Sequence, residues 1–142
     1  QKISDIVSPE GEEIELVGGH GEQILVVEDD QITREAICAI LETYDYRTTE
    51  AASAEEARRL FEFYGDDIAL ILSDMVMPGM NGDVLLTHLQ DKRPDIRMIV
   101  ITGYPFTEMD TLMRNEGIVN WIAKPFAVEE LVAAIQAALP TP

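Results

Sequence analysis

The sequence predicts an α/β domain built on one doubly wound, five-stranded parallel sheet with five helices. Three observations carry that reading. Segments with the signature of strands alternate five times with segments of helical period. Each strand-plus-helix unit runs to about 20–25 residues, enough for the crossover that a parallel pair requires. The most apolar strands, ILVV at 24–27 and LIL at 70–72, are continuous runs, as expected of strands covered on both faces.

Taken in order, residues 1–22 read as an N-terminal linker of scattered acids, Pro9 and the run Gly18-Gly19-His20-Gly21. Within it, Ile14, Leu16 and Val17 alternate with glutamates and could form a short strand or a sheet-edge contact. The domain proper spans 23–139. Ile24–Val27 opens the sheet, and 31–43 follows as a helix capped by Asp30 with a core stripe of Ala36, Ile37, Ile40 and Leu41. Tyr46–Ala51 is a weaker strand. Ser53-Ala54-Glu55-Glu56 is a capping box, and Ala57, Leu60, Phe61 and Tyr64 form the stripe behind it. Ile68–Ser73 is the third strand, and 83–93 a helix with Leu85, Leu86 and Leu89 inward, stopped near Pro94. Arg97–Thr102 is the fourth strand. The helix expected over 107–116 packs Met109, Leu112 and Met113 and ends at Gly117. Ile118–Ala123 is the fifth strand, 127–139 the closing helix with Leu131, Ile135 and Leu139 inward, and 140–142 a short tail.

Composition narrows the function classes. A hydrophobic fraction of 46% with 26% charged residues suits a globular domain with one sizeable core. No apolar run approaches the roughly 20 residues of a membrane helix, and no basic-then-apolar leader opens the sequence. The single cysteine, Cys38, excludes an intrachain disulfide and reads as helix packing. A cytoplasmic domain is expected, either free or tethered to a membrane sensor kinase. The net charge of −17 argues against direct nucleic-acid binding and against membrane contact by this domain.

The acids that carry chemistry stand at strand ends. Glu28 and Asp29 follow the first strand, and Asp74 ends the third. Doubly wound sheets place ligands at the carboxyl ends of their strands, near the switch in strand order. In the order 2-1-3-4-5 the first and third strands are neighbours, so the three carboxylates converge. At about 4 Å and an effective dielectric near 20, each like-charged pair costs on the order of 4 kcal/mol, so the cluster calls for a cation. A hard divalent ion with oxygen ligands fits, Mg²⁺ first, because it accepts few carboxylates and keeps several waters. Thr102 and Lys124 end the fourth and fifth strands on the same rim. A metal, a hydroxyl and an ammonium around one carboxylate make a phosphoryl-transfer site with that carboxylate, Asp74, as nucleophile.

The motifs LVVEDD, SDMVMPGMNG, VITG and AKPF, in that order and at these spacings, resemble the response-regulator receiver domain of two-component signalling, a flavodoxin-like fold. The resemblance covers 23–139. It implies that Asp74 is the phosphoacceptor and that Glu28, Asp29, Asp74 and the Val76 carbonyl hold Mg²⁺. It further implies that Thr102 and Lys124 contact the phosphoryl group and that Pro125 follows a cis peptide bond. Glu28 stands where many relatives carry Asp. Val76 and Tyr104, two residues past Asp74 and Thr102, flank the path of attacking water, and their size and polarity predict slow self-dephosphorylation. Trp121 occupies the position of a switch aromatic, and reads either as a mobile ring or as a permanently buried wedge. The expected partner is a histidine kinase or histidine phosphotransfer domain docking near the first helix at Ile32. A homodimer is a further possibility.

Two other classes compete. Phosphatases that use an aspartyl-phosphate nucleophile carry a second Asp two residues on, where this chain has Val76. A flavodoxin-like cofactor module needs its glycine-rich loop after the first strand, whereas Gly18–Gly21 precedes it. A receiver that is not itself an enzyme, beyond its own phosphorylation and dephosphorylation, is therefore expected. The lead-in GGHGEQILVVEDD resembles the junction before the receiver of a hybrid histidine kinase, with a stand-alone regulator as the alternative.

Overall fold

A computed structural model describes the backbone of residues 2–7, 13–103 and 115–139, and the side chains of 18–103 and 115–139. Its strands are β1 (Lys2–Val7), β2 (Glu13–Val17), β3 (Gln23–Val27), β4 (Arg47–Ala51), β5 (Ile68–Asp74), β6 (Met98–Thr102) and β7 (Ile118–Ala123). The described helices are α1 (Gln31–Thr43), α2 (Ala54–Tyr64), α3 (Gly82–Gln90) and α4 (Val128–Ala138). Strands β4-β3-β5-β6-β7 form one parallel sheet, the 2-1-3-4-5 order when the sheet's own strands are counted. The helix expected over 107–116 lies almost wholly outside the described residues.

Alternation along the strands splits the core into two layers. Ile24, Val26, Leu70, Leu72, Ile99 and Ile101 face α1 and α4, meeting Ile37, Leu41, Leu131 and Ile135. Leu25, Val27, Ile71, Met98 and Val100 face α2 and α3, meeting Phe61, Leu85, Leu86 and Leu89. Each such side chain taken out of water contributes about 2 kcal/mol, which makes the sheet the rigid body of the domain. Two expected stripe residues are not in these layers. Ala36 is exposed on α1 and Cys38 is buried in its place, because the helix turns its Ile37-Cys38-Leu41 edge inward. Tyr64, at the last turn of α2, is 51% exposed beyond the edge of the sheet.

The helix starts follow sequence closely. Asp30 caps α1, accepting from the Thr33 amide at 2.9 Å. Ser53 caps α2 by accepting from the Glu56 amide at 3.1 Å. The Glu56 carboxylate reaches one residue further back than a standard box, accepting from the Ala52 amide at 2.7 Å.

The segment that reads as linker contains ordered backbone. β1 and β2 pair antiparallel, and β2 runs beside α4. Glutamates and apolar residues alternate through EIEL, and KISDIV pairs with this strand across an irregularity between Ile3 and Ile6. Gly18 and Gly19 are buried. The Gly19 amide donates to the Tyr44 carbonyl at 2.6 Å, the Gly21 amide to Asp45 at 2.8 Å, and the Arg47 amide to Glu22 at 3.0 Å. Gly21 has a φ of +82°, and a Cβ on Gly19 would come within 2.4 Å of the Tyr46 ring. The glycines thus fasten the entering chain to the turn between α1 and β4. Gly19→Ala is expected to destabilise the domain by about 1–3 kcal/mol, because the buried Tyr46 ring must move. Urea denaturation of the variant measures the loss.

Candidate functional site

The carboxyl ends of β3, β5, β6 and β7 form one rim, and each contributes side chains to it. β3 ends in Val27, so Glu28 and Asp29 leave the sheet at its centre. The Glu28 amide donates to the Ala51 carbonyl at 3.0 Å, continuing the parallel ladder one residue past the strand. That ladder contact is why Glu28 stays 2% exposed while Asp29, beyond it, is exposed. Asp74 is the last residue of β5 and is 9% exposed. Its exit is fixed by two backbone bonds, from the Met75 amide to Ile101 at 2.8 Å and from the Gly82 amide to Met75 at 2.9 Å. A Cβ on Gly82 would lie 2.8 Å from the Asp74 carbonyl, so glycine there lets α3 start hard against the end of β5.

Glu28, Asp29 and Asp74 each offer a carboxylate oxygen within 4.8 Å of the other two. Lys124 joins them from the end of β7. Its Nζ lies 3.0 Å from Glu28 Oε1 and 3.4 Å from Asp74 Oδ2. Its backbone is held by the Lys124 amide donating to the Thr102 carbonyl at 2.7 Å, and the peptide bond to Pro125 is cis. Thr102 ends β6 and is 1% exposed. The remaining Asp74 oxygen, Oδ1, lies 3.4 Å from the Val76 amide.

The electrostatics are unbalanced without a cation. At 4.8 Å and an effective dielectric near 20, each carboxylate pair costs about 3 kcal/mol. Burial pushes the Glu28 carboxyl above its ordinary range, and the charge of Asp74 adds to the rise. The Lys124 hydrogen bond and the Asp30 amide, 3.1 Å from Oε2, pull the other way without cancelling it. For Lys124 burial is the largest single influence and lowers the pKa, but the bonds and charges of Glu28 and Asp74 together raise it. Three carboxylates and one ammonium leave a charge of −2, the complement of one divalent ion. All the offered donors are hard oxygens, so the residues fit Mg²⁺.

A model of the response regulator receiver domain matches residues 24–136. The chain belongs to the response regulator receiver family. Among relatives of this receiver domain, the sensor kinase CckA of Brucella abortus is 31% identical over 113 residues. That match covers 80% of this chain and 12% of CckA, so the chain spans a small part of that relative's length. A receiver domain from Clostridium thermocellum superposes with a TM-score of 0.74 at 28% identity, covering 82% of this chain and 92% of that one. The regulator TrrA of Thermotoga maritima, solved with Mg²⁺ and beryllofluoride, superposes with a TM-score of 0.72 at 27% identity, covering 83% and 99%. A Mg²⁺-bearing relative and the acidic cluster of this receiver are mutually consistent.

Of the other residues singled out in the sequence, Val76 adjoins the cluster through its backbone, and Ile32 and Trp121 lie apart from it. Ile32, on the first turn of α1, is 81% exposed, which places it outside the core. Val76 is 50% exposed on the loop after Asp74. Trp121 is 41% exposed and walls a groove of about 470 Å³ with Ala133, Ala134 and Ala137 of α4, so the ring is not a buried wedge. Tyr104 lies outside the described residues. One site-proximal residue escaped the sequence reading. Arg34 of α1 donates through Nη1 to the Glu28 carbonyl at 2.8 Å and through Nε to Glu50 at 3.1 Å. The signal available was that Arg34 is the one basic side chain in α1.

Removing one charge from the cluster should stabilise the metal-free domain. Asp74→Asn in EDTA is expected to raise unfolding stability by about 1 kcal/mol, a fraction of one pair repulsion because Lys124 already offsets part of it. Saturating Mg²⁺ should narrow or reverse that gap in the same thermal melts.

The Glu28 shift gives a second expectation. A carboxyl raised in the folded state favours folding below its ordinary value of 4.5, and loses that contribution as pH rises through the folded value. Metal-free wild type should therefore lose stability over that window relative to Glu28→Gln. Urea denaturation at a series of pH values reads the difference.

Proposed function

We propose that this receiver domain accepts a phosphoryl group on Asp74 from a histidine kinase or a phosphotransfer protein, in a reaction that requires Mg²⁺. The observation that carries the reading is the convergence of Glu28, Asp29 and Asp74, with Lys124 bridging Glu28 and Asp74. A carboxylate oxygen of Asp74 attacks phosphorus in line with the donor's P–N bond. As the new O–P bond forms, that P–N bond breaks and the imidazole leaves with its electron pair. Lys124 is already within reach of Asp74 Oδ2, so its ammonium meets the negative oxygens of the arriving group without a long movement. The Thr102 hydroxyl, on the neighbouring strand end, is the second group proposed to contact them. Glu28, Asp29, Asp74 and the Val76 carbonyl would hold the metal, which supplies charge neutralisation on the phosphoryl oxygens when bound.

In this reading the domain is not an enzyme toward any separate substrate. It catalyses its own phosphorylation and the later hydrolysis. Val76, two residues past Asp74 and half exposed, offers no polar side-chain group to orient an attacking water, which supports a long-lived acyl phosphate. Ile32 and the first turn of α1 form the docking contact for the donor. The similarity to a receiver inside a sensor kinase, and the lead-in GGHGEQILVVEDD, support an origin in a hybrid histidine kinase of the cytoplasm.

Acetyl phosphate should label the wild-type chain by one phosphoryl group in the presence of Mg²⁺, as read by intact-mass spectrometry. Asp74→Asn, or EDTA, should abolish labelling. Undiminished labelling of the variant would sink the assignment.

Phosphorylation would bias a two-state rim, and Trp121 is the proposed reporter, since its ring has room in the groove against α4. On saturation with beryllofluoride and Mg²⁺, its emission should shift to shorter wavelength and acrylamide quenching should fall. An unchanged spectrum with unchanged quenching would mean that the signal leaves by another route.

A further inference from the structure

Arg34 makes two contacts that a surface arginine has no reason to combine. One arm of its guanidinium holds the main-chain carbonyl of Glu28, and the other holds the Glu50 carboxylate of β4. The side chain is only 14% exposed, whereas Glu50 is 48% exposed. Glu28 itself is tied at every polar group: its amide to Ala51, its carbonyl to Arg34, Oε1 to Lys124 and Oε2 to the Asp30 amide. The carbonyl that Arg34 holds belongs to the peptide unit joining Glu28 to Asp29. That unit is planar and stiff, so fixing its oxygen fixes the direction in which the backbone of Asp29 departs.

We propose that Arg34 is a positioning residue that sets the Glu28–Asp29 peptide plane, and through it the carboxylate geometry that receives the divalent ion. The inference rests on the metal-binding reading above. Two effects of Arg34 oppose each other, and this makes the proposal testable by sign. Its positive charge, near an acidic cluster, disfavours a second cation. A charge-only role predicts that neutral Arg34→Met binds Mg²⁺ more tightly and that Arg34→Lys leaves affinity unchanged. A positioning role predicts weaker binding in both, because lysine keeps the charge but cannot hold a carbonyl and a carboxylate with one fork. Removing outer-shell partners of metal sites typically costs 10–100-fold in affinity.

The experiment is calorimetric titration of Mg²⁺ into the full chain for wild type, Arg34→Met, Arg34→Lys, Glu50→Gln and Asp29→Asn, with thermal melts of each in EDTA. The expected result is a dissociation constant raised about tenfold in Arg34→Met and several-fold in Arg34→Lys. Glu50→Gln should stay within about threefold of wild type and all melts should remain cooperative, since Glu50 is half exposed and its pair with Arg34 contributes little to folding. Unchanged or tighter Mg²⁺ binding in Arg34→Met overturns the proposal. So does an equal loss in Glu50→Gln, which would assign the effect to the helix–strand tie alone. Should Arg34→Met fail to fold, Arg34→Lys carries the test, and wild-type affinity in it is the overturning result. If Asp29→Asn binds Mg²⁺ as wild type does, the metal-site reading itself has failed, an outcome distinct from a failure confined to Arg34.

Discussion

A carboxylate with 2% of its surface exposed, at the end of a central strand, is the constraint around which this domain is arranged. Ionised Glu28 is costly to bury unless each oxygen is met by a donor, and two separate donors meet them. One is a main-chain amide from the start of α1 and the other is an ammonium from the far side of the sheet. The second donor has to cross from the end of β7 to the end of β3, past β6 and β5. Lys124 does so because its backbone is pinned to Thr102 on β6, and its long stem spans the rest. In meeting Glu28 it also meets Asp74, so the group that makes burial of one acid tolerable is delivered to the other.

The two-layer core explains why such a rim holds its shape. Adjacent strand ends are spaced by the sheet ladder, and the ladder is clamped on both faces by apolar layers that leave no slack for a strand to slide. The backbone positions that carry Glu28 and Asp74 therefore cannot move apart to relieve the repulsion. The repulsion is stored in the fold and released only by protonation, by substitution or by a cation, which is how a site trades stability for reactivity.

Much of this was legible in sequence, for identifiable reasons. Continuous apolar runs that end in acids mark buried strands and place Glu28, Asp29 and Asp74 at one edge once the strand order is known. Asp30 and Ser53 announced their helix starts because capping is local chemistry. Three features were not legible. Cys38 packs into the core as read, but Ala36, placed in the α1 stripe, is exposed, since a small residue marks the border of a helical stripe only loosely. The glycine run at 18–21 reads as linker by composition, and only the tertiary approach of Tyr46 reveals that its lack of side chains serves close packing. Arg34 was silent because its acceptor is a backbone carbonyl, and carbonyls leave no trace in a pattern of side chains.

These features lie at opposite poles of the sheet and act in one direction. At the amino edge the glycine segment fastens the entering chain to the α1–β4 turn through three backbone bonds. At the carboxyl edge Arg34 fastens α1 to the end of β3 and to β4. Helix α1 and strand β4 are thereby held at both ends. On the other flank, among the described residues, a notional Cβ on Gly103 meets nothing within 4 Å, and Trp121 is an exposed aromatic side chain. Under the proposed switch, these ties on the β4 side direct a response at the rim away from α1 and β4, toward β6 and β7. The first flank is left as a fixed surface, and Ile32 stands on it, where a donor protein would need a docking face that does not change with the state of Asp74.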